Sequence, residues 1–304
     1  MSEQAANWIA VDWGTSNLRL WVMSAEGDIL ARHHSDKGMS SLSTSEFEPE
    51  LLRIAEPYLG TSPMPVICCG MAGAKQGWME AAYQQVPCQP PSAEDAVRVA
   101  STDPRISVCI LPGLMQKNPA DVMRGEETQI AGFLAKYPEY QGSLCLPGTH
   151  TKWVSIRDGE ISQFTTMMTG ELFALISTHS VLRHSTASED WSDPDFEEGV
   201  AQAAAQPAQL ASALFRLRAD DLLNGLERKA ARARLSGLLI GLEIEAAHAY
   251  LQQNRLHLIG AEGLCSLYQT ALQHKGITAD IDTGDELVLD GLISARHQLK
   301  QRQS

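Results

Sequence analysis

The chain has 304 residues, of which 44% are hydrophobic and 20% charged, so it is long enough to form one or two globular domains. Its formal net charge of −13 argues against nucleic acid as a partner, because a nucleic-acid-binding protein needs a basic surface that displaces phosphate counterions. No apolar run approaches the roughly 20 residues that span a bilayer, and the first residues lack the basic and apolar regions of a signal peptide, so no membrane partner is expected.

The first third of the chain predicts mainly strands. Gly27 beside Asp28 has the composition of a hairpin turn between two of them. A helix follows over residues 46–58, and Ser45 with Glu48 three residues later predicts a capping box at its start. The strand-like apolar runs occupy residues 8–12, 18–24, 29–34, 64–70 and 106–113.

The rest of the chain predicts helices framed by strands. Segment 126–137 opens with two carboxylates and carries apolar residues at helical spacing, which indicates a helix with negative charge at its positive end. A strand over 143–148 and an Asp-Gly hairpin over 152–164 precede a mainly helical region. Further helices are predicted over 169–183, 196–218, 226–251, 262–273 and 284–298, and further strands over 256–259 and 277–282.

Two segments repeat one pattern. WIAVDWGTSNLR at 8–19 and SLCLPGTHTKW at 143–153 each contain an apolar strand, a Gly-Thr turn and a second strand, and a further glycine turn follows the first glycine by 11 to 13 residues. The repeat predicts two similar halves, 1–142 and 143–304. Strands that alternate with helices in both halves predict an α/β architecture with a cleft between two domains.

The turns of this repeat have the composition of phosphate-binding sites. A strand that ends in Gly14-Thr15-Ser16 or in Gly148-Thr149 presents backbone amides and hydroxyl groups beyond the sheet edge, where α/β proteins bind ligands. Two such turns facing each other across a cleft would hold a polyphosphate from both sides. Asp12, beside the first turn, would then hold Mg²⁺ through water molecules, since this ion prefers one or two carboxylates together with phosphates.

A third segment, LIGAEGL, joins a predicted strand to a predicted helix. Its small residues Gly260, Ala261 and Gly263 would allow a purine or ribose to approach the backbone closely. The chain has neither the GxGxxG dinucleotide fingerprint nor the Walker GxxxxGK[ST] motif, so these two common modes of nucleotide binding are not predicted.

Together these segments resemble a known superfamily. WIAVDWGTSNLR, LCLPGTHTKW and LIGAEGL are similar to the phosphate-1, phosphate-2 and adenosine motifs of the sugar kinase/Hsp70/actin superfamily. CGMAGAKQGWMEAAY and DVMRGEETQIAGFL, with FTTMMTGELFALISTHSVL later in the chain, resemble one branch, the 2-dehydro-3-deoxygalactonokinase family. This resemblance runs over residues 8–297.

The resemblance implies a two-domain, actin-like ATPase (ribonuclease H-like) fold. Domain 1–142 would carry the substrate and the first phosphate turn, and domain 143–304 would bind the nucleotide, with the last helix packing back on the first domain. The implied reaction is the phosphorylation of 2-dehydro-3-deoxy-D-galactonate at its 6-hydroxyl group by ATP with Mg²⁺, in D-galactonate catabolism.

Catalytic roles follow from the needs of phosphoryl transfer, which depends mainly on positioning and charge stabilisation. Asp12 with Mg²⁺ and the amides of the two turns would supply the stabilisation, and Lys152 is a candidate for a further cation or an exposed lysine without a role. Sugar kinases of this superfamily place an aspartate base at the head of a helix, whereas this chain has Gly125 followed by Glu126 and Glu127. Glu126 is the first candidate base and Glu127 the second; alternatively, both only complement the helix dipole.

The implied substrate carries a carboxylate, which needs donors in an otherwise acidic protein. Candidates are Lys75, Gln76, Arg124 and the backbone amides around Gly38, although each could equally be an ordinary surface group. Trp78 either lines the sugar pocket or fills the core.

Other functions remain open from the sequence. The same fold could serve the epimeric 2-dehydro-3-deoxygluconate, a phosphatase or polyphosphate hydrolase, or a filament-forming or chaperone module. The expected partners are the sugar acid and ATP. The oligomeric state is not determined, and a homodimer is allowed. Six cysteines in mainly apolar runs without metal-ligand spacing predict buried free thiols and a cytoplasmic location.

Overall fold

The computed structural model describes residues 5–252 and 255–303, with side chains described up to His297. Contacts divide the described residues into two compact units. Unit 1 comprises residues 5–140, 157–163 and 284–303, and unit 2 comprises residues 141–156, 164–252 and 255–283. The predicted functional domains, 1–142 and 143–304, stay a prediction.

Groups of strands alternate with groups of helices along the chain. The strands are β1 Trp8–Trp13, β2 Leu18–Met23, β3 Ile29–Ser35, β4 Met64–Gly70, β5 Gln84–Gln85, β6 Val97–Arg98, β7 Ile106–Ile110, β8 Leu114–Lys117, β9 Ala120–Met123, β10 Gly142–Leu146, β11 Thr151–Arg157, β12 Glu160–Met167, β13 Leu256–Gly260 and β14 Asp280–Thr283. The helices are α1 Phe47–Ala55, α2 Glu126–Lys136, α3 Thr169–His179, α4 Asp193–Ala205, α5 Leu210–Asn224, α6 Arg228–Ala246, α7 His248–Leu251, α8 Glu262–Gln273 and α9 Gly284–Gln303.

The central sheet of unit 1 has the strand order β3-β2-β1-β4-β7-β6. β1, β2 and β3 form an antiparallel meander, and β4 and β7 then add in parallel to β1. Alternate residues of β1 enter two cores: Ile9 and Val11 pack with Phe47 of α1, whereas Trp8 and Ala10 pack toward α9. A sheet that is covered on both faces explains why these strands are apolar almost throughout.

The sheet of unit 2 repeats this topology. Its order is β12-β11-β10-β13-β14. β10, β11 and β12 again form an antiparallel meander, and β13 and β14 then add in parallel to β10. Asp158 and Gly159, with φ of 53° and 75°, form the tight turn between β11 and β12, as the Asp-Gly pair predicts. The repeated sheet confirms the internal duplication and the predicted α/β, actin-like fold class.

The last helix packs against α2 within unit 1. A Cβ atom on Gly132 of α2 would overlap the carbonyl oxygen of Leu287, and one on Gly291 of α9 would overlap that of Thr128. The two helices are therefore in backbone-to-backbone contact, which only glycine permits at these positions.

Some local predictions were wrong. The capping box is formed by Ser43 and Glu46 at a 3₁₀ turn before α1, not by Ser45 and Glu48. The Glu48 carboxylate instead accepts hydrogen bonds from the backbone of Thr102 and Asp103, which a pattern local to the helix could not reveal. The long helix predicted over 196–218 is two helices, because Pro207 interrupts it.

Two further observations bear on the sequence predictions. All six cysteines are free and are buried or half-buried, which confirms the expected thiols. Among the residues that the structure describes, none of the helices combines the length and apolar character needed to cross a membrane.

Candidate active site

Asp12 lies at the carboxyl end of β1, where the first Gly-Thr turn begins. Its side chain is 14% exposed, and its Oδ2 atom accepts a hydrogen bond of 3.0 Å from Nε of Arg19, its cross-strand partner on β2. Arg19 also pairs with Asp285 in the first turn of α9. The other Asp12 oxygen, Oδ1, lies 3.7 Å from the Cys69 thiol. Asp12 is thus held in one orientation at the sheet edge.

The turn after Asp12 leaves two backbone amides without an acceptor. The Gly14 N–H donates to the Asn17 carbonyl oxygen at 2.8 Å and closes the turn. No acceptor within the described part of the chain lies within hydrogen-bonding distance of the N–H groups of Thr15 and Ser16, and both side chains are exposed. Two adjacent free N–H groups beside a carboxylate form a concave site for an anion.

Gly38 supports this turn from a neighbouring loop. Its N–H donates to the Ser16 carbonyl oxygen at 3.2 Å, and a Cβ atom at this position would lie 2.5 Å from the Asn17 nitrogen. The amides on either side, of Lys37 and Met39, also donate within the protein. The Gly38 and Met39 amides therefore brace the turn, the Lys37 amide donates to the Ser35 hydroxyl group, and all three are engaged within the protein.

The two candidate bases stand at the amino end of α2. Gly125 precedes them with φ of 110°, a conformation that favours glycine. Glu126 is half-buried and its Oε2 accepts from the Arg124 N–H at 3.2 Å, whereas Glu127 is fully buried and its Oε2 accepts from the Gly125 N–H at 2.7 Å. Of the two, only Glu126 has a side chain that a substrate can reach.

Burial changes the acidity of Glu127. Desolvation, reinforced by the negative charge of Glu126, raises the pKa of Glu127 to about 8, against the opposing effect of the backbone N–H groups and Arg124. The Cys69 thiol, which lies beside Asp12, is itself raised in pKa by burial and by the charges of Asp12 and Glu127. Asp12 and the α2 terminus therefore belong to one electrostatic cluster in unit 1.

The predicted substrate donors have different environments. Lys75 and Gln76 are exposed. Arg124 is half-buried, with its Cζ atom 4.4 Å from the centroid of the Tyr83 ring and NH2 donating to the Ala81 carbonyl oxygen at 2.7 Å. Its Nε and NH1 atoms are buried and have no hydrogen-bond partner within the residues described. An unsatisfied guanidinium is costly to bury, so Arg124 is the donor best suited to an anionic group.

Trp78 is a core residue. It is 8% exposed and packs against Trp13 and Phe47, with ring centroids 5.9 and 6.1 Å away. The alternative prediction that it lines a sugar pocket is therefore not needed.

The second Gly-Thr turn, in unit 2, joins β10 to β11. As in the first turn, the N–H groups of Gly148, Thr149 and His150 have no acceptor in the part of the chain that is described. The start of α3 holds this turn in place, because the Glu171 N–H donates to the Thr149 carbonyl oxygen at 2.9 Å. A Cβ atom on Gly170 would lie 2.9 Å from the Thr149 Cα and would overlap the Gly148 carbonyl oxygen.

Other charged groups of this turn are partly engaged. Lys152 is only 4% exposed, contrary to the alternative of a surface lysine, and its Nζ donates to the His150 carbonyl oxygen at 3.2 Å. His150 Nε2 lies 2.5 Å from Glu171 Oε2. The structure places a buried ammonium group directly after the free amides.

The third predicted motif lies beside the second turn. β13 runs parallel to β10 and ends at Gly260, which lies next to Pro147. A Cβ atom at Gly260 would lie 3.4 Å from the Pro147 carbonyl oxygen. Ala261 precedes α8, and a Cβ atom on Gly263 would meet nothing within 4 Å. The amino end of α8 is thus open and adds unpaired N–H groups to this edge of the sheet.

A cavity of about 300 Å³ in unit 2 connects these two motifs. Gly148 and Gly170 form one side of it, and Leu264 and Leu267 of α8 another. The remaining lining comes mainly from helices, and includes Thr169, Phe173, Glu189, Trp191, Arg232, Ser236, Leu239, Ile240 and Tyr268. None of these lining residues was predicted from the sequence, because the cavity arises from the packing of α3, α6 and α8 and not from a local motif.

A buried carboxylate holds residues of the cavity wall in place. Glu243 of α6 is 3% exposed and accepts hydrogen bonds from Trp153 Nε1 at 2.8 Å and from the Tyr268 hydroxyl at 2.9 Å. Burial raises the pKa of Glu243, while hydrogen bonds from Thr169, Trp153 and Tyr268 oppose that rise. Because Thr169 and Tyr268 line the cavity, this network fixes its wall.

The described residues contain no group of three or more metal-ligating side chains. Asp12 offers one carboxylate beside free amides, a set that fits Mg²⁺ held by phosphates and water molecules with a single protein carboxylate. It does not fit a metal held by the protein alone.

Comparisons with known proteins agree on one family. The family described as 2-keto-3-deoxy-galactonokinase matches residues 12–295. A protein of Rhizobium meliloti (strain 1021), named a probable 2-dehydro-3-deoxygalactonokinase, is 41% identical over 298 residues, which cover 96% of this chain and 97% of that protein. The 2-dehydro-3-deoxygalactonokinase of Escherichia coli (strain K12) is 33% identical over 296 residues, covering 96% of this chain and 98% of that protein.

A solved structure leads to the same family. The crystal structure of a 2-dehydro-3-deoxygalactonokinase protein from Sinorhizobium meliloti has a TM-score of 0.89 and 39% sequence identity, and covers 96% of this chain and 99% of that one. The family match over residues 12–295 includes both Gly-Thr turns and the amino end of α2. The chain therefore belongs to the 2-keto-3-deoxy-galactonokinase family.

Proposed function

We propose that this chain transfers the γ-phosphoryl group of ATP to the 6-hydroxyl group of 2-dehydro-3-deoxy-D-galactonate, in the catabolism of D-galactonate. Its family membership supports the kinase activity and the sugar-acid substrate. The observation that carries the mechanism is the pair of Gly-Thr turns, each with adjacent amides that lack an acceptor among the described residues, since phosphoryl transfer needs such preorganised donors.

In this proposal unit 2 binds the nucleotide. The cavity of about 300 Å³ has apolar walls for a purine, including Phe173 and Leu264, and a polar side at Arg232. The free amides of Gly148 and Thr149 bind phosphate oxygens, and Lys152 adds positive charge. Glu243 acts as a positioning residue, because it holds the wall of the cavity through Tyr268.

Unit 1 provides the groups that act at the transferred phosphoryl group. The amides of Thr15 and Ser16 bind its oxygens, and Asp12 would hold Mg²⁺, which would supply positive charge to the phosphates. Arg19 keeps the Asp12 carboxylate at the sheet edge. The bond from the phosphorus atom to the β–γ bridging oxygen breaks as the bond to the sugar oxygen forms, and ADP leaves.

Glu126 accepts the proton of the attacking hydroxyl group. Its half-buried position at the amino end of α2 permits contact with a substrate, whereas Glu127 is enclosed and holds the Gly125 N–H. Arg124, with two buried donors that lack hydrogen-bond partners among the described residues, binds the substrate carboxylate. Lys75 and Gln76 are exposed, so in this proposal they contact the substrate only at the outer edge of its site.

The family result favours this activity over a hydrolase or a filament-forming module. The epimeric 2-dehydro-3-deoxygluconate differs from the proposed substrate in one hydroxyl configuration, so specificity depends on a few hydrogen bonds. Family membership supports the use of ATP. Mg²⁺, a cytoplasmic location and a homodimer are further parts of the proposal.

A coupled assay of ADP formation tests the proposal. The full chain is supplied with ATP, Mg²⁺ and, in turn, each of a panel of 2-keto-3-deoxy sugar acids that includes both epimers. We expect the highest kcat/KM with 2-dehydro-3-deoxy-D-galactonate. A preference for the gluco epimer, or equal ADP formation without any sugar acid, would reject the proposal.

A further inference from the structure

Unit 1 contains a cavity of about 390 Å³ at the amino-terminal end of β4, in addition to the cavity described in unit 2. Its floor is formed by Pro65 and Ile67 of β4 and by their register partners on β7, Ser107 and Cys109. Gly70, at the carboxyl end of β4, lies five residues from Pro65, which corresponds to roughly 16 Å along a strand. The cavity is therefore separate from the edge that carries the candidate catalytic groups.

Two arginines line this cavity. Arg296 of α9 is 8% exposed, its Cζ atom lies 4.7 Å from the Trp8 ring centroid, and its NH2 donates to Oδ1 of Asn7 at 2.5 Å. Within the described part of the chain no carboxylate pairs with its guanidinium, and burial lowers the pKa of Arg296 without a neighbouring charge to offset the effect. Arg98 of β6 is exposed and its positive charge acts on the Cys109 thiol.

Burying a guanidinium beside neutral groups alone is unfavourable, because the Asn7 oxygen and the Trp8 ring replace only part of its lost hydration and supply no negative charge. A ligand with an oxyanion would supply the missing charge, and arginine binds phosphate and carboxylate oxygens in pairs. Glu94, the acidic residue of the lining, is exposed and leaves the two arginines in excess. We propose that this cavity is a regulatory site for a small metabolite that carries a phosphate or carboxylate group, held by Arg98 and Arg296.

Helix α9 connects this cavity with the candidate active site. Asp285 in its first turn pairs with Arg19, which in turn holds Asp12. Arg296 follows Asp285 by eleven residues, roughly 16 Å along a helix. The backbone-to-backbone packing of α9 on α2, which begins with Glu126, leaves little room for α9 to move alone. An anion at Arg296 therefore changes turnover by shifting α9 together with α2, which moves Glu126 relative to Asp12.

Calorimetric titration tests the site directly. Inorganic phosphate and malonate are each titrated into the full chain saturated with a non-hydrolysable ATP analogue, so that the nucleotide site is already filled. Arg98→Gln removes one cavity cation at an exposed position, and Arg32→Gln, on the exposed side of β3, is the matched control. We expect at least one probe to bind wild type and Arg32→Gln equally, and Arg98→Gln at least about tenfold more weakly, as expected for one charge-assisted pair.

The difference between the probes identifies the anion class: tighter phosphate binding indicates a phosphorylated metabolite, and tighter malonate binding a carboxylic acid. Arg296→Met should abolish binding of the probe. If Arg296→Met does not fold because the residue is buried, the comparison of Arg98→Gln with wild type tests the site. The bound probe should change kcat in wild type and Arg32→Gln but not in Arg98→Gln. No binding by either probe, equal binding by all variants, or binding without an effect on turnover would overturn the proposal.

Discussion

The buried carboxylate of Glu127 gives the protein a specific dependence of stability on pH. Its Oε2 accepts from the Gly125 N–H at 2.7 Å and its Oε1 accepts from the Thr128 hydroxyl at 3.2 Å. Glu127→Gln keeps the size of the side chain and one acceptor oxygen but removes the titrating group. Comparing this variant with wild type therefore isolates the cost of ionising a fully buried carboxylate.

The magnitude follows from the pKa shift. The pKa of Glu127 is raised from 4.5 to about 8 in the folded protein. At about 1.36 kcal/mol for each tenfold change in acidity, this rise gives an upper limit of about 5 kcal/mol for the effect on the free energy of unfolding. Because the folded-state pKa lies above the unfolded one, the stabilising contribution is complete below about pH 4.5 and is lost as the pH rises through about 8.

Urea unfolding of wild type and Glu127→Gln at successive pH values measures this effect. Tryptophan fluorescence is a suitable signal, because Trp13 and Trp78 are buried in the core of unit 1. We expect the free energy of unfolding of wild type to fall relative to the variant between about pH 5 and pH 8 and the difference to level off above that range. Glu139→Gln, at an exposed position, is the control. Parallel pH curves for wild type and Glu127→Gln would refute the reasoning.

Three further substitutions test the assigned roles. Glu126→Gln should lower kcat by about 10²–10⁴, the usual contribution of a general base, with little change in either KM. Arg124→Met should raise KM for the sugar acid by at least about tenfold and leave KM for ATP unchanged, since it removes one charge-assisted contact. Gly170→Ala should raise KM for ATP, because its Cβ would push the Gly148 turn out of place, whereas Gly60→Ala, with nothing within 4 Å of its Cβ, should not.

Each of these outcomes has a contrary result. Normal turnover in Glu126→Gln together with a loss of turnover in Glu127→Gln would move the base to the buried residue. An equal rise of both KM values in Arg124→Met would indicate a general distortion and not a lost carboxylate contact. Steady-state kinetics with each substrate varied in turn, with thermal unfolding as a check on folding, distinguishes these cases.

Much of the fold was predictable because it depends on local patterns. Apolar strands separated by Gly-Thr turns and by the Gly27-Asp28 and Asp158-Gly159 turns predicted both antiparallel meanders, and the matching order of the two patterns predicted the duplicated sheet. The small sheet of β5, β8 and β9 was missed, because β5 has only two residues and β8 and β9 lack a clear alternation. Its existence depends on contacts between segments that are distant in sequence.

The candidate site was likewise predictable only in part. The positions of Asp12, Glu126 and Gly148 follow from rules about where strands and helices end, so sequence could indicate them. The enclosed environment of Glu127 and the buried donors of Arg124 depend on which side chains surround them, and no spacing rule gives that information. Cavities between helices, such as the one in unit 2, are likewise visible only in three dimensions.

The central claim is that the γ-phosphoryl group passes to a sugar hydroxyl and not to water. Phosphorus-31 NMR of the full chain with ATP, Mg²⁺ and 2-dehydro-3-deoxy-D-galactonate follows the fate of that group directly. We predict that a phosphomonoester signal grows in step with ADP and that inorganic phosphate does not accumulate. Inorganic phosphate rising in step with ADP, with no phosphomonoester, would contradict the account.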